Sequence, residues 1–200
     1  IAGICLDADR LYVADNQNDR VVAFSKVSPY TVLWTYTTTN FKPASLAVDS
    51  LYLYVPSEYS NAIRVLDITT GALVDTLNFG GFGTYGIAVD DTHLYRANSS
   101  TVIQKRLKGG TYGIVSSFTI PSAVTTNIVV DSSYLYISTT TYTGFKIYDK
   151  TSPHAFIDSF PSSGSPGITG ALNIKDGFAY ALFGNSVASP TVGIANQYNT

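Results

Sequence analysis

The sequence of 200 residues predicts an all-β protein that repeats one short unit along the chain. Two observations predict this fold class, and the first is composition. The chain has 15 Tyr and 10 Phe but one Glu and no Met, and only 13% of its residues are charged. Aromatic and β-branched residues suit pleated strands, whereas the straight-chain residues that favour helices are scarce. The second observation is a period of about 42 residues.

Each repeat is marked by an aspartate that is followed five residues later by a tyrosine. The pairs are Asp7–Tyr12, Asp49–Tyr54, Asp90–Tyr95 and Asp131–Tyr136, and a degenerate fifth copy has Lys175 and Tyr180 at these positions. The tyrosines lie 42, 41, 41 and 44 residues apart. Short strands with such a period are typical of β-propellers, in which each repeat forms one four-stranded blade.

The four strands of a unit, a to d in chain order, can be assigned in turn. Strand a is an apolar run that ends at the aspartate, and strand b carries the repeated tyrosine. Strand c is predicted at 20–24, 63–67, 102–106, 145–149 and 192–196, and strand d at 31–36, 72–77, 113–120 and 155–160. Gly or Pro between strands c and d favours tight turns.

The domain prediction follows from this assignment. We expect one propeller domain over residues 1–200, with units of about 1–42, 43–84, 85–125, 126–168 and 169–200. This gives about five blades, of which the last lacks its outer strand d. Four residues before each aspartate column stands a small or polar residue, so strand a is expected to be innermost, close to the propeller axis. These residues are Gly3, Ser45, Gly86, Asn127 and Ala171.

The repeats resemble the NHL and YVTN (YncE-like) class of β-propellers. The stretches that carry the resemblance are residues 11–24, 61–71 and 86–95. It implies a propeller scaffold over nearly the whole chain. The class includes surface-layer proteins, ubiquitin-ligase scaffolds, lyases and periplasmic binding proteins, so it implies no single activity. The Trp-Asp signature of WD40 repeats is absent.

Charge and the chain's ends exclude some functions and favour others. With 12 basic and 14 acidic residues the chain has no basic field, so a nucleic-acid partner is not expected. No apolar run has the length of a membrane span. The chain begins at Ile1, which fits either a mature product whose leader has been removed or a fragment. A surface rich in Ser, Thr and Tyr and poor in Lys and Glu favours an extracellular or cell-surface location.

Catalytic signals are weak, so the sequence predicts a protein that is not an enzyme, with no cofactor and no metal. Cys5 is the single cysteine and lies between apolar residues, which predicts a buried, inert thiol. His93 and His154 fall in turns of different type and are expected to be exposed. The alternative is a carboxylate ring at the aspartate column that binds a cation such as Ca²⁺, although Lys175 interrupts such a ring.

Two further surface features bear on ligands. Asn98 begins the only N-glycosylation sequon. Loop aromatics could serve subunit contacts or sugar stacking; they are Tyr59, Phe82, Tyr85, Tyr112 and Tyr142. The b–c loops share neither length nor sequence, which disfavours a sugar site repeated in every blade.

The count of strands leads to the functional hypothesis. Strand d occurs four times, which leaves the last strand c, with Val192, Ile194 and Asn196, as an inter-subunit edge. The chain could be part of a longer propeller, an open ring, or a ring completed by a neighbour's strand. We expect a self-assembling extracellular structural subunit of a surface layer or filament, in a homo-oligomer or homopolymer. The alternatives are a glycan- or peptide-binding module and, less favoured, a lyase or lactonase.

Overall fold

The computed structural model describes residues 1–79, 84–98, 101–120, 125–139, 144–161, 168–175, 178–183 and 191–196. Within these residues the chain is almost entirely β-strand and turn. No helix of the described part has the length and apolar character needed to span a membrane.

Four antiparallel sheets of four strands each follow one another along the chain. Blade 1 contains β1 (Gly3–Leu6), β2 (Arg10–Asp15), β3 (Arg20–Ser25) and β4 (Val32–Thr37). Blade 2 contains β5 (Ala47–Val48), β6 (Tyr52–Pro56), β7 (Ala62–Asp67) and β8 (Leu73–Asn78). Blade 3 contains β9 (Thr84–Val89), β10 (His93–Asn98), β11 (Val102–Leu107) and β12 (Ile114–Thr119). Blade 4 contains β13 (Thr125–Val130), β14 (Tyr134–Thr139), β15 (Gly144–Asp149) and β16 (Phe156–Pro161).

Within the described residues the structure has four complete blades, where the sequence predicted about five. The fifth unit contributes a three-stranded sheet of β17 (Ile168–Lys175), β18 (Phe178–Phe183) and β19 (Thr191–Asn196). This unit is also the one whose repeat is degenerate, because Lys175 takes the place of the aspartate that closes the turn in the other four.

The innermost strands of successive blades lie side by side, β1 beside β5, β5 beside β9, β9 beside β13 and β13 beside β17. Small residues permit this close approach. A Cβ atom added to Gly3 would lie 3.0 Å from the Cα of Ser45, and one added to Gly86 would lie 3.2 Å from the Cα of Asn127. The predicted role of the small position in strand a is therefore confirmed at these two glycines.

The hydrophobic core lies between blades. The rear face of a blade is defined as the face turned toward the preceding blade in the chain, and the forward face is the opposite one. Tyr12 and Trp34 on the forward face of blade 1 pack with Leu53, Val55 and Leu66 on the rear face of blade 2. The same arrangement recurs between blades 2 and 3, between blades 3 and 4, and between blade 4 and the fifth sheet.

The outer strands keep exposed apolar pairs at the same repeat position. The pairs are Val32–Leu33, Leu73–Val74, Ile114–Val115 and Phe156–Ile157. Sheets that radiate from an axis diverge outward, so an outer strand can expose residues of both faces while others, such as Trp34, stay in the core.

Candidate interaction surface

An aspartate turn joins the first and second strands in each of the four blades. In blade 2, Oδ1 of Asp49 accepts the backbone N–H groups of Leu51 and Tyr52, each at 2.8 Å. Its Oδ2 accepts the hydroxyl of Tyr54 at 3.1 Å. The same carboxylate-to-tyrosine bond measures 2.6 Å in blade 1 and 2.8 Å in blades 3 and 4. The repeated Asp therefore stabilises the turn between the first two strands and also accepts the hydroxyl of the repeated Tyr.

The electrostatics of this turn keep the carboxylate charged. Partial burial alone would raise the pKa of Asp49, but the Lys108 ammonium and the N–H groups of Leu51 and Tyr52 together lower it. The pKa of Asp90 is lowered well below its usual value by the same kinds of contact. The pKa of Tyr54 is raised, first by burial and then by the adjacent Asp49.

Lysines at the end of the third strand link the turns of neighbouring blades. Lys108 of blade 3 donates to the carbonyl of Asp90 in its own blade and lies 2.6 Å from Oδ2 of Asp49 in blade 2. Lys150 of blade 4 donates to the carbonyl of Asp131 and lies 3.2 Å from Oδ2 of Asp90 in blade 3. These two aspartates therefore each hold a lysine of the following blade.

A turn residue with positive φ provides a second kind of contact between blades. The position is Tyr30, Gly71, Tyr112 and His154 in blades 1 to 4, with φ between 50° and 72°. His154 hydrogen-bonds Ser116 of blade 3 at 2.7 Å and stacks on Phe118, with ring centroids 4.8 Å apart. Tyr112 packs into the core between blades 2 and 3. Gly71 lies against Trp34 of blade 1 so closely that an added Cβ would be 2.6 Å from the indole.

Blade 1 has the same apolar rear face, but it faces solvent. Ile4 and Leu6 of β1 are 59% and 56% exposed, whereas Ile87 and Ile128, which replace Ile4 in blades 3 and 4, are each 2% exposed. Leu11 of β2 is partly exposed. Its equivalents Leu53, Leu94 and Leu135 are fully buried at 0%. Val13 and Phe24 are also less buried than their equivalents. Most of the rear face of blade 1 is therefore open, although Val22, opposite Val13, is 6% exposed.

The two inter-blade contact residues also occur at this open face. Lys26 donates to the carbonyl oxygens of Asp7 and Ala8 at 2.9 and 3.1 Å, as Lys108 and Lys150 do within their own blades. Tyr30 has the positive φ of the turn position but is 66% exposed. The described residues supply neither a carboxylate for Lys26 nor a preceding blade for Tyr30.

The rear face of blade 3 differs from the others because it contains two arginines. Arg96 replaces the Val55 of blade 2 and is 1% exposed, and burial lowers its pKa to about 10. Phe79 of blade 2 lies against both guanidinium groups, 5.3 Å from Arg96 and 3.9 Å from Arg106. Arg106 also donates to the carbonyl of Tyr112. An inter-blade face can therefore include cations when an aromatic ring and carbonyl groups receive them.

Comparison with known proteins finds similarity in three-dimensional structure but not in sequence. No protein-family model matches the sequence, and no curated protein matches it. The crystal structure of the RRP9 WD40 repeats matches with a TM-score of 0.75 at 12% identity, over 91% of this chain and 57% of that chain. The crystal structure of the mitotic checkpoint complex matches with a TM-score of 0.73 at 16% sequence identity, over 97% of this chain and 62% of that chain. The crystal structure of BamB from Moraxella catarrhalis matches with a TM-score of 0.65 at 15% sequence identity, over 89% of this chain and 53% of that chain.

The chain is a β-propeller. It spans 53% to 62% of the length of these three structures. At such low identities the likeness shows the propeller fold and not a family, so the NHL and YVTN resemblance stays a prediction.

The structure corrects the predictions for three site residues. One is His93, which was predicted to be an exposed turn residue but begins β10 and is partly buried. His154 is not an exposed turn histidine, since it is 5% exposed and held between blades 3 and 4. Tyr112 is not an exposed loop aromatic either, since it is 7% exposed and packs between blades 2 and 3. Sequence reasoning placed His154 and Tyr112 in turns but gave no sign that these turns reach back to the preceding blade.

Other predicted residues lie as follows. Cys5 packs beside the core between blades 1 and 2, where burial and then Asp7 raise the pKa of its thiol. Tyr59 is exposed, Tyr85 lies in β9, and Phe82 and Tyr142 fall outside the described residues.

The remaining candidate sites involve glycan, metal and strand-edge positions. Asn98 ends β10, while the rest of its sequon falls outside the described residues. In the part of the chain that is described, no three His, Cys, Asp or Glu side chains cluster as a metal site. Val192, Ile194 and Asn196 lie in β19, which pairs with β18 and ends the order of its sheet. Their role as an inter-subunit edge stays a prediction.

Proposed function

We propose that this propeller is a non-enzymatic assembly module that binds another polypeptide through the rear face of blade 1. The observation that carries the proposal is the exposure of Ile4, at 59%, where its equivalents Ile87 and Ile128 are each 2% exposed, together with the 56% exposure of Leu6 beside it. Leu11, Val13 and Phe24 extend the same patch. Contiguous apolar surface of this kind marks interaction sites in soluble proteins.

The structural neighbours support a binding role over a catalytic one. One similar structure is of a complex, the mitotic checkpoint complex. Among the described residues, Asp49 and Asp90, whose pKa values are lowered, hold lysines of the next blade, and His154 holds Ser116. That use of titratable groups supports the proposal that the chain is not an enzyme.

An extracellular or cell-surface location is part of the proposal. The composition supports it, because one Glu and a charged fraction of 13% are unusual for a cytosolic surface. The repeat itself accounts for part of this composition, since nearly every described segment is a strand or its turn. Fractionation of the native source would test the location, and a purely cytosolic protein would contradict it.

A second candidate function is self-assembly by strand completion, as a filament or surface layer. The observation that favours it is the sheet β17–β18–β19, which has three strands in the described part of the chain where the other four sheets have four. In this proposal the unit 169–200 is a fifth blade whose outer strand comes from a neighbouring copy, which pairs along β19. Electron microscopy of the purified chain at high concentration should then show polymers, and only compact particles would refute this candidate.

The leading candidate is tested with a photo-reactive amino acid at Leu6 in the native source, with Ile114 as the matched control position. The two side chains are exposed to nearly the same extent, 56% and 55%. We expect a discrete cross-linked protein from position 6 only, with its yield reduced by Ile4→Glu. Equal cross-linking from both positions, or none from position 6, would refute a binding site on the rear face of blade 1.

A further inference from the structure

The contact between Ser116 and His154 has the geometry of a serine hydroxyl that donates to a basic nitrogen. Nε2 of His154 lies 2.7 Å from Oγ of Ser116. Nδ1 of the same ring lies 3.1 Å from the backbone carbonyl oxygen of Asp149. A carbonyl oxygen only accepts hydrogen bonds, so Nδ1 carries the proton of the neutral ring and Nε2 is the acceptor. The hydroxyl of Ser116 therefore donates to Nε2.

The imidazole ring of His154 is held in this position by its surroundings. The residue is 5% exposed, and its ring stacks on Phe118 of β12 with centroids 4.8 Å apart. Its backbone N–H donates to the carbonyl of Thr151 at 2.7 Å, which fixes the turn that carries the ring. A nucleophile within hydrogen-bond distance of a base, with the base oriented by a third group, is the arrangement that activates serine hydroxyls.

The propeller repeat does not account for this pair of residues. The strand positions equivalent to Ser116 in blades 1, 2 and 4 are Trp34, Asp75 and Asp158. The turn positions equivalent to His154 are Tyr30, Gly71 and Tyr112. Of these equivalent positions, only the junction of blades 3 and 4 sets a hydroxyl beside an imidazole. The fold closes its other described junctions with different residue types, so it does not require a serine and a histidine here.

Ser116 is accessible at the outer end of the junction between blades 3 and 4. It is partly exposed and is followed in β12 by the exposed Ser117. A row of rings runs from Phe118 through Tyr148 to Phe156, with centroids 5.0 and 5.6 Å apart. The last ring of the row is 56% exposed. Exposed aromatic surface beside the serine favours an uncharged, apolar group as its reaction partner.

We propose that Ser116 is a modification site that takes the acyl group of an uncharged, apolar ester, with His154 as the base. Oγ of Ser116 forms a bond to the acyl carbon, and the bond from this carbon to the alkoxide oxygen of the ester breaks. The Oγ proton passes to Nε2 of His154 and from there to the departing alkoxide. The products are a serine ester and an alcohol. One transfer per chain is a modification without turnover, and the site is separate from the rear face of blade 1.

Treatment of the purified full chain with p-nitrophenyl butyrate tests this site, with peptide mass spectrometry to locate the butyryl group. Ser117 is the matched internal control, because it follows Ser116 in the same strand and is more exposed. We expect Ser116 to be modified faster than Ser117 by about a hundredfold, the usual size of general-base assistance. Ser116→Ala should remove the fast reaction. His154→Gln should lower the rate at Ser116 by a similar factor of about a hundred.

Each outcome of this experiment counts for or against the proposal. Equal modification of Ser116 and Ser117, or no adduct on Ser116, would overturn it. Full reactivity of Ser116 in His154→Gln would overturn the role of His154 as the base. Wild type unfolded in urea provides a comparison that does not depend on how well the variant folds. The preference for Ser116 should vanish there, and a preference that persisted would refute a site made by the folded junction.

Discussion

The rear faces of blades 1 and 2 have similar side chains but different surroundings. Leu11 and Val13 of blade 1 occupy the positions of Leu53 and Val55 of blade 2. The first pair is partly exposed, whereas the second is fully buried against Tyr12 and its neighbours. The difference teaches that the repeat determines the chemistry of a face, while only a neighbouring blade makes that face a core. The rear face of blade 1 therefore has the apolar character of a face that packs against another blade.

The largest expected effect comes from truncating the same leucine in the two faces. Leu53→Ala should lower the free energy of unfolding by about 3 kcal/mol, because it removes a side chain that is buried between blades. Leu11→Ala should cost about 1 kcal/mol or less, because part of its side chain already meets solvent. Urea unfolding of both variants measures the difference. Equal losses would mean that the rear face of blade 1 is covered as completely as that of blade 2.

A second comparison uses two glycines with positive φ. Gly71→Ala should cost about 2 kcal/mol or more, since its Cβ would lie 2.6 Å from Trp34 of blade 1. Gly109→Ala serves as the control, because its φ is 83° but nothing lies within 4 Å of an added Cβ. We expect about 1 kcal/mol there from the backbone alone. Thermal unfolding would contradict the close contact between blades 1 and 2 if the two variants lost the same stability.

A third comparison concerns the lysines. Lys108→Ala should lower the free energy of unfolding by about 1–2 kcal/mol, because it breaks a charged contact with Asp49 and a bond to Asp90. Lys26→Ala should stay within about 0.5 kcal/mol, as is usual for exposed side chains. Chemical denaturation of the isolated chain measures the loss of stability in each of the two variants. A large loss for Lys26→Ala would show that its bonds to the carbonyl oxygens of Asp7 and Ala8 stabilise the chain as much as the ion pair of Lys108 does.

The smallest expected effect is the contribution of Asp90 to the pH dependence of the free energy of unfolding. The pKa of Asp90 is lower in the folded chain than its ordinary value. Its contribution to stability is therefore complete above the unfolded pKa of about 3.9 and is lost as pH falls through the folded value. Between pH 5 and 2 the free energy of unfolding should fall less steeply in Asp90→Asn than in wild type. Parallel curves would show that the contacts of Asp90 do not favour its charged form.

Much of the architecture could be predicted because it depends on spacing. The interval of five residues between Asp49 and Tyr54 is set by a turn and one strand, so it recurs in the sequence. The contact of a lysine with the aspartate of the preceding blade was not predicted. Its repeat position is Lys in three blades, at Lys26, Lys108 and Lys150, but Ile68 in blade 2, so no regular pattern marks it.

Other features of the candidate site had no sequence signal. Tyr30, Gly71, Tyr112 and His154 share a backbone conformation and a direction of contact but no residue type. The buried Arg96 and Arg106 were hidden for a related reason, since only the position of Phe79 beside them makes burial possible. The open face of blade 1 could not be predicted either, because exposure depends on what lies opposite and not on the residues of the face.

Cysteine labelling at equivalent positions tests the central claim most directly. Ile4→Cys and Ile87→Cys place a thiol at the same point of the rear face in blades 1 and 3, and native Cys5 sets the background rate. Thiol reaction requires access to solvent as well as the thiolate. We expect Ile4→Cys to react about a hundredfold faster than Ile87→Cys, because the parent side chains are 59% and 2% exposed. Equal rates would contradict the account, since they would mean that the rear face of blade 1 is closed.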